Sequence, residues 1–553
     1  MFEISLITVG IGLVLTALVH RFVTRNYFYF ADKPIPFLRP TFGVGNFGPL
    51  LMRKRDILEH LKALYRSFPD AKIFGFFNMT EPIFMVRDPE MVKQITVKDF
   101  DHFVDHTLNA AGGTDQDTTG SQSLFTDSLV VLRGNKWRDM RATLSPAFTG
   151  SKMRQMFALI TDCGQSVVEY YRESAAGAQS GRVVVELKDV FSRFANDVIA
   201  SAAFGISVDS FRERDNEFYL LGQSMTQQMG VVQALKLAGF MLFPKLMVRF
   251  GVDFLSADQD KFFRGLITET MRTREAKSIF RPDMIELLMQ AKKGNLKRQS
   301  AEDQTKPEVE GFAVVEESQV GKRSHNRTWT ENELIAQAFI FFFAGFESIS
   351  ITLCFIAYEL TRDATVQERL YREIRDTNRA LDGRSLSYEV LQGMKYLDMV
   401  VSEAMRIWPI GQVVERLCVK DYIYDDHQGC RFTIEKGRSV FASIVGFHHD
   451  PKYFPEPEEF DPERFSEANK HNINLGAYLP FGIGPRNCIG SRFALMEVKA
   501  VMYYLLLNFS FDVHQKTQIP LRLKKSLMRV MPEKGFWIEL TPRPDINKAN
   551  LGK

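Results

Sequence analysis

The chain has 553 residues, of which 45% are hydrophobic and 25% charged, a composition that is typical of a folded globular protein. Such a composition excludes a largely disordered chain or a coiled coil. With 70 basic and 67 acidic residues the net charge is +3, too weak a bias for a dedicated nucleic-acid-binding protein, so we expect no nucleic-acid partner.

The first predicted element is an apolar helix at the N terminus. Residues 2–19 are almost wholly apolar, and Arg21 and Arg25 follow them. The apolar run is about as long as a bilayer-spanning helix, and the positive charges after it place the rest of the chain on the cytoplasmic side. A cleaved signal peptide is the alternative, although no Lys or Arg precedes the run and no small-residue cleavage site is obvious. We therefore predict a transmembrane anchor over residues 1–25.

A proline-rich stretch comes next. Pro34 and Pro36 alternate with other residues, and Pro40 closes the stretch. Closely spaced prolines stiffen a chain into an extended spacer. Residues 26–40 are therefore predicted to be a hinge between the anchor and the body of the protein.

The body is predicted to extend over residues 41–545, with residues 546–553 as a C-terminal tail. Helical patterns dominate the body, and short β-rich pieces occur near residues 72–86 and 419–442. The predicted fold class is therefore mainly α with small β-sheets (α+β).

A long helix is predicted to begin after Thr330, because Thr330 and Glu333 have the spacing of a capping box. Apart from Gln337, the turns that follow are apolar on every face, which places the helix in a core or a membrane. The acids further along, Glu347 and Glu359, favour a helix through the centre of a large domain over a second membrane span.

Two polar residues in the middle of this helix, Glu347 and Ser348, need an explanation, since a buried acid is costly unless it has a partner or a function. Gly345 stands just before them and weakens the helix by about 1 kcal/mol relative to alanine. One interpretation is a local distortion that makes room for a ligand. The other is a buried acid with a distant partner.

The strongest signal is the glycine-rich segment 481–490, which contains Cys488. A run of helical character, residues 491–507, follows it, and a cysteine at a helix N terminus is favoured as thiolate. Glycines let the backbone approach a flat ligand closely, and thiolate is an axial ligand of haem iron. The five cysteines of the chain are widely spaced and form no C-x-x-C pair, which argues against a disulfide framework or a zinc module.

Segment 481–490 resembles the haem-ligand loop of the cytochrome P-450 superfamily, whose pattern F-x-x-G-x-R-x-C-x-G it matches at every fixed position. The resemblance implies the cytochrome P-450 fold with an N-terminal transmembrane anchor. It also implies haem b (iron-protoporphyrin IX) as the cofactor and Cys488 as the metal ligand, with Phe481 and Arg486 in the cofactor-binding loop. The alternative for Cys488 is a buried structural thiol.

Further motifs appear in the family's order. Glu403 and Arg406 resemble the E-x-x-R pair, and Arg464, in a P-E-R-F segment, resembles the arginine that joins it. The resemblance gives this trio a structural role, locking the fold around the cysteine loop. In the pair, the spacing i, i+3 places both side chains on one helix face.

The resemblance also implies which residues hold the haem propionates. Trp137 and Arg141 match the W-x-x-x-R helix, and the spacing i, i+4 places them on one face. Arg416 and Arg486 are expected to bind the same carboxylates, since guanidinium suits bidentate carboxylate binding. For Arg416 an ordinary surface arginine is the alternative.

The central helix carries the family's acid–alcohol motif, and the resemblance makes Glu347 and Ser348 the catalytic residues that deliver protons to iron-bound dioxygen. Ser348 stands where threonine is usual. Serine keeps the hydroxyl but lacks the methyl group that restricts χ1. We therefore expect activity with more uncoupling of oxygen consumption from product formation.

The implied function is that of a monooxygenase that oxidises hydrophobic small molecules. The implied electron donor is NADPH, through the flavoprotein NADPH–cytochrome P-450 reductase, with cytochrome b5 as a further candidate donor. The implied location is the endoplasmic reticulum membrane, with the catalytic domain on its cytoplasmic face. Near the haem motifs lie four cations that are candidates for a basic docking face, with solvated helix charges as the alternative: Lys136, Arg138, Arg492 and Lys499.

The substrate class follows from a further resemblance. Segments 281–294 and 138–152 resemble insect microsomal members that detoxify plant toxins and insecticides. Oxidation of hormones, pheromones or lipids is the rival within the class. A haem-thiolate isomerase or dehydratase and a non-catalytic haem sensor or lipid-binding protein are the rival classes.

The expected pocket wall is apolar. Some of Phe339, Phe343 and Phe346 on the central helix are expected to face the pocket, and residues 105–129 are expected to cap it.

Overall fold

The computed structural model describes residues 6–107, 123–227, 236, 239–240, 244–281, 283–292, 311–314, 328–527 and 529–543. The predicted C-terminal tail, residues 546–553, lies outside the described residues.

Helices form most of the body. The described α-helices are α1 (Leu6–Thr24), α2 (Gly48–Leu51), α3 (Ile57–Tyr65), α4 (Pro89–Lys93), α5 (Gly134–Leu144), α6 (Gly150–Gly177), α7 (Leu187–Ile199), α8 (Glu217–Gln227), α9 (Pro244–Arg249), α10 (Ala257–Lys277), α11 (Met284–Lys292), α12 (Glu331–Arg362), α13 (Ala364–Leu381), α14 (Tyr388–Gln392), α15 (Lys395–Ile407), α16 (Ile444–His448) and α17 (Ser491–Asn508). The mainly helical class that the sequence predicts is thus confirmed.

The strands are short, and most lie where the sequence predicts β structure. They are β1 (Ile73–Asn78), β2 (Glu81–Val86), β3 (Val183–Glu186), β4 (Val413–Leu417), β5 (Tyr422–Asp425), β6 (Arg431–Ile434), β7 (Ser439–Ser443), β8 (Phe509–Asp512) and β9 (Trp537–Pro542).

Within the described ranges, three small sheets accompany the helices. The largest has the order β1-β2-β7-β4, the second β3-β9-β8 and the third β5-β6. In the largest sheet only the β2–β7 pair is parallel. Its last strand, β4, pairs with β7 so that Arg416 lies opposite Val440. This strand therefore fixes where Arg416 and its neighbour Glu415 lie relative to the site described below.

Helix α12 runs through the core, as the sequence predicts. The Thr330 hydroxyl accepts a hydrogen bond from the Glu333 N–H at 3.2 Å, and the Glu333 carboxylate accepts one from the Thr330 N–H at 2.9 Å, which completes the predicted capping box. Within the described part of the chain, α12 is the one helix whose length and composition suffice to cross a membrane, yet 61% of its apolar window is buried inside the protein. It is thus a core helix, packed against α7, α15 and α17.

Helix α1 is apolar, as α12 is, but its apolar side chains are exposed. The exposed fractions of its side chains include 67% for Leu13 and 57% for Leu18. Exposed apolar surface of this extent is unusual on a soluble body and indicates contact with an apolar phase or a partner.

Residues that follow α1 pack against the first sheet. Phe30 is fully buried beside Gly75, where a Cβ atom would lie 2.6 Å from the Phe30 ring. The backbone of Leu38 donates a hydrogen bond to the Gly75 carbonyl at 2.9 Å, and Lys33 pairs with Glu435 at 2.8 Å. The segment 26–40, predicted as a hinge, is therefore fastened to the sheet at several points.

Candidate active site around Cys488

A mostly apolar cavity lies between α5, α7, α12 and the cysteine loop. Its empty volume is about 1180 Å³, part of which is open to solvent. The lining residues on which the argument depends are His106, Trp137, Arg141, Ser348, Arg486 and Cys488.

The cysteine loop closes on itself just before α17. The N–H of Cys488 donates to the Phe481 carbonyl at 2.9 Å. Gly484, at φ +77°, allows the turn, and a Cβ atom there would lie 2.1 Å from the Thr96 carbonyl oxygen. The predicted residue Phe481 thus holds the loop through its backbone; its side chain packs against the core and does not line the cavity.

Cys488 faces the cavity and is accessible from it. The protein surrounds it on other sides, and this burial raises the pKa of the thiol, opposed by the Gly490 N–H and the nearby charge of Arg141. A cation bound to the sulfur would stabilise the thiolate far more strongly than these groups do.

Trp137 and Arg141 project from α5 towards the cysteine loop. The guanidinium of Arg486 lies 4.0 Å from the centre of the Trp137 ring. Arg141 donates to Asn487, to its carbonyl at 2.9 Å and to its side-chain oxygen at 2.7 Å. The structure therefore brings three of the four predicted propionate-binding residues together at one end of the cavity.

Arg416, the fourth, does not itself line the cavity, but it is buried near Arg486, so it is not the surface arginine of the alternative interpretation. It donates to the backbone carbonyls of Glu415 and Ile483, at 2.7 and 3.1 Å, but its Nε has no hydrogen-bond partner. Burial lowers the pKa of Arg416 to about 10. Burial also lowers the pKa of Arg486 well below its ordinary value; the charge of Asp105, 3.3 Å away, opposes this effect, and the charges of Arg416 and Arg141 add to it.

The three arginines Arg141, Arg416 and Arg486 form a cation cluster that fits the acidic end of haem. An anion would stabilise the charged form of Arg486, whose pKa the nearby arginines lower, and of Arg416, whose pKa burial lowers. The unpartnered Nε–H of Arg416 also needs an acceptor. Two carboxylates at this end of the cavity would supply both, and the Cys488 sulfur at the cavity wall would supply an iron ligand. The residues present therefore fit haem, with Arg141, Arg416, Arg486 and Trp137 toward its acid groups.

His106 is a site residue that sequence reasoning missed. It lines the cavity, and its Nδ1 lies 3.6 Å from a carboxylate oxygen of Glu415. Burial lowers its pKa, which the Glu415 hydrogen bond opposes and the charges of Arg486 and Arg416 reinforce. No motif contains His106, and its partner is about 300 positions away in the chain, so only the fold reveals the pair.

The two polar residues of the central helix lie in different surroundings. Ser348 lines the cavity, and its hydroxyl donates to the Ala344 carbonyl at 2.7 Å. Glu347 does not line the cavity; one of its carboxylate oxygens lies 2.8 Å from Lys188 Nζ, on α7. Lys188 also donates to the Ser350 hydroxyl at 2.5 Å. Glu347 thus has a partner on another helix, and Gly345, two residues before it, lines the cavity, so the structure shows a feature of each of the two interpretations.

The expectation that Phe339, Phe343 or Phe346 faces the pocket is wrong. Phe339 and Phe346 are buried in the core and, like Phe343, do not line the cavity; the phenylalanine of this helix that does is Phe341. The helix is apolar all round, so its pattern does not distinguish the cavity side from the core side.

Lys499 is not part of an exposed docking face. It is fully buried and pairs with Asp398 at 2.7 Å, because α17 is covered there by α15 and by the short segment 311–314. Two other members of the expected face are paired: Lys136 with Glu333 and Arg138 with Asp101.

The predicted structural trio is confirmed. Arg406 and Glu403 are fully buried and form two parallel hydrogen bonds, at 2.7 and 2.8 Å. Arg464 Nε lies 3.3 Å from the same carboxylate. An isolated buried charge is costly, so each member depends on the others.

Comparison with known proteins supports the same assignment. The sequence profile of the family described as Cytochrome P450 matches residues 36–540. The chain is 41% identical to the probable cytochrome P450 9f2 of Drosophila melanogaster over 96% of its own length and 98% of the relative's. It is 41% identical to cytochrome P450 9e2 of Blattella germanica, over 94% and 95% of the two chains, and 34% identical to cytochrome P450 6k1 of the same species, over 89% and 87%.

The cavity, its cysteine and its cation cluster define a haem-thiolate enzyme. The chain belongs to the cytochrome P450 family and is a P450 monooxygenase, with haem as its cofactor. The resemblance to insect members that its motifs indicate is confirmed by these insect relatives.

Proposed function

We propose that the protein is a monooxygenase of the endoplasmic reticulum membrane that oxidises apolar foreign compounds, such as plant toxins and insecticides, with electrons from NADPH–cytochrome P450 reductase. Cytochrome b5 is a second candidate donor. The exposed apolar helix α1, with Arg21 in its last turn and Arg25 directly after it, supports a membrane anchor with the body on the cytoplasmic face.

The observation that carries the substrate class is the chemistry of the cavity wall. Away from the cation cluster, the polar side chain that the described wall offers on α12 is Ser348, whose hydroxyl is already bonded to Ala344. Narrow specificity needs several placed polar groups that a wrong ligand leaves unpaired. A wall without them favours apolar ligands of varied shape.

In the proposed mechanism, Cys488 ligates the iron and the four predicted residues, Trp137, Arg141, Arg416 and Arg486, hold the acid groups of the cofactor. Haem, when bound, supplies the chemistry that activates dioxygen.

Ser348 holds a proton at its Oγ, which faces the cavity, and passes it on when it exchanges its Ala344 acceptor for one in the cavity. Glu347, whose carboxylate pairs with Lys188 outside the cavity lining, relays that proton: it takes a proton from solvent water when the ion pair opens and passes it to Ser348 through water.

The test is reconstitution of the full chain in phospholipid vesicles with the reductase and NADPH. The panel contains a plant furanocoumarin, a pyrethroid ester, a sterol and a fatty acid, and Cys488→Ala is the control. We expect NADPH-dependent hydroxylated products from the first two and none from the control. Products from the sterol or fatty acid alone would establish the endogenous-substrate alternative, and conversion without reductase would establish an isomerase or dehydratase.

A carbon monoxide difference spectrum of the reduced protein separates the cofactor question from the substrate question. A thiolate-ligated carbonyl gives a strongly red-shifted Soret band, and we expect that band in the wild type and not in Cys488→Ala. Its absence from folded, haem-supplied wild type would overturn the assignment of Cys488 as the iron ligand.

A further inference from the structure

One polar side chain interrupts the apolar first half of the central helix. Gln337 is fully buried, and its amide makes three hydrogen bonds of 2.8 Å. Nε2 donates to the carbonyls of Glu333 and Asp127, and Oε1 accepts from the N–H of Leu129. A buried amide is costly unless it is satisfied in this way. Two of the three bonds go to the backbone of the segment 127–129, not to the helix.

That segment leads directly into the cavity wall. Leu129 and Val130 line the cavity, and Val130 is 42% exposed towards open space. The backbone here forms turns and belongs to no helix or strand, so its position depends on side chains from elsewhere.

Three other side chains also bind this segment. Asn332 donates to the Asp127 carboxylate at 2.6 Å, and Lys136 lies 3.7 Å from it. Arg486, two residues before Cys488, donates to the carbonyls of Leu129 and Leu132, at 3.4 and 2.7 Å. Gln337 is the one among these residues that binds the backbone on both sides of Ser128.

We propose that Gln337 is a positioning residue for this wall: by fixing the backbone at Asp127 and Leu129 it sets where Leu129 and Val130 stand in the cavity, and so how tightly and in which orientation a ligand is held. The inference rests on the proposed function, because it takes this cavity to be the substrate cavity. Gln337 touches no ligand; it acts through the wall.

The chain offers a matched control for a substitution at Gln337. Gln367 is also a buried glutamine with the same three kinds of bond, since Nε2 donates to the carbonyls of Leu360 and Phe511 and Oε1 accepts from the Phe511 N–H. Its Oε1 accepts one further, longer bond from Arg543, at 3.5 Å. It joins α13 to β8 and does not line the cavity. Methionine has nearly the shape of glutamine and no amide, so Gln337→Met and Gln367→Met remove comparable bonds at two places.

The first measurement is hydrogen–deuterium exchange of the full-length protein, followed in peptides that cover residues 125–132. The Leu129 N–H loses its acceptor in Gln337→Met, so we expect exchange in this region about tenfold faster, the factor that corresponds to one net hydrogen bond. Gln367→Met is expected to leave these peptides unchanged. This readout requires no catalytic turnover, so it tests the positioning of the wall even if the proposed substrates are wrong.

The second measurement is an optical titration of the ferric protein with 4-phenylimidazole, whose nitrogen binds iron and whose ring contacts the cavity walls. We expect Gln337→Met to weaken binding several-fold more than Gln367→Met does, and to change the ratio of products from any substrate that the reductase assay identifies. Gln337→Glu keeps an acceptor for Leu129 and is expected to fall between wild type and Gln337→Met.

Three outcomes would overturn the proposal. The first is that exchange in residues 125–132 of Gln337→Met is unchanged. The second is that exchange in these residues changes equally in Gln337→Met and Gln367→Met. The third is that exchange is faster in Gln337→Met while its ligand affinity and product ratio are unchanged. If Gln337→Met does not fold, Gln337→Glu is compared with Gln367→Glu by the same two measurements.

Discussion

The ammonium group of Lys188 lies 2.8 Å from a carboxylate oxygen of Glu347 and 2.5 Å from the Ser350 hydroxyl, so that a residue of α7 clamps one turn of the central helix. Neither Lys188 nor Glu347 lines the cavity. Their side chains keep about a fifth of their surface exposed, 18% and 22%, so the pair lies at an aqueous edge of the helix. If Glu347 relays protons to Ser348, its carboxylate must therefore first leave this ion pair and take up a proton from solvent.

We expect the Lys188–Glu347 pair to couple in a double-mutant cycle. Lys188→Met and Glu347→Gln are each expected to destabilise the protein, with a coupling energy of about 1 kcal/mol because the pair is partly exposed. If Glu347 supplies protons, both variants also release more peroxide per product in the reductase assay. A coupling energy without any change in that ratio would leave the pair a purely structural one.

Ser348 is expected to control coupling through its cavity-facing hydroxyl. Ser348→Ala should raise the ratio of peroxide to product, and Ser348→Thr should lower it because the extra methyl group restricts χ1. Thr361→Ala is the control, since Thr361 makes the same bond to the helix backbone, to Ala357, away from the cavity. An unchanged ratio in both Ser348 variants would remove this hydroxyl from proton delivery.

Arg416 is expected to retain haem through its unpartnered Nε. Arg416→Leu should transfer haem to excess apomyoglobin about tenfold faster or more, as expected for a lost hydrogen bond to a charged group. Arg438→Leu is the control, because Arg438 pairs with Glu81 outside the cavity. Equal transfer rates in the two variants would place Arg416 outside cofactor binding.

Gly75 is expected to be essential for the packing of Phe30 against the first sheet. The Cβ atom of Gly75→Ala would lie 2.6 Å from the Phe30 ring, which should cost about 1–3 kcal/mol and make residues 26–40 more sensitive to protease. Gly177→Ala, where the Cβ atom would meet nothing within 4 Å, is the control for helix and glycine effects. Adding Phe30→Leu should restore part of the lost stability; equal stability of the two alanine variants would contradict this packing argument.

His60 is expected to make the fold sensitive to acid. It is buried without a hydrogen-bond partner for either ring nitrogen, and burial lowers its pKa to about 4. Between pH 6.5 and about 4 the unfolded chain binds a proton at this ring and the folded chain does not, so stability is lost as the pH falls through this window. His60→Phe should therefore show a smaller drop in melting temperature between pH 7.5 and 5 than wild type.

Its control is His471→Gln, at an exposed position. That variant is expected to show the wild-type drop. A drop in His60→Phe as large as in wild type would assign the acid sensitivity to other groups.

Local patterns predict the elements of this fold well. The capping box at Thr330, the helix that follows Cys488 and the pairing of Glu403 with Arg406 each depend on a few neighbouring residues, and the structure confirms all three. The contact of Arg464 with Glu403, which the structure also shows, is expected only from the family resemblance. Such features depend on short-range geometry that a sequence states directly.

Contacts across the chain are not predictable in the same way. From the sequence, Lys499 is predicted to be an exposed cation. No neighbouring residue in the sequence indicates that Asp398 and segment 311–314 cover it. Phe341 cannot be told from Phe339 by pattern, since α12 is apolar on every face and the cavity occupies only one of them. His106 meets Glu415 only because β4 brings the latter to the site.

One arginine connects the cysteine loop to the cavity wall formed by residues 129 and 130. Arg486 belongs to the cysteine loop, yet its guanidinium holds the carbonyls of Val104, Leu129 and Leu132. These bonds go to backbone atoms, so they do not depend on which side chains stand at positions 129 and 130. An engineer who wishes to alter the range of compounds accepted can therefore diversify those two positions as a library, and expects the cofactor site to survive, provided that Arg486 and Gln337 are left in place.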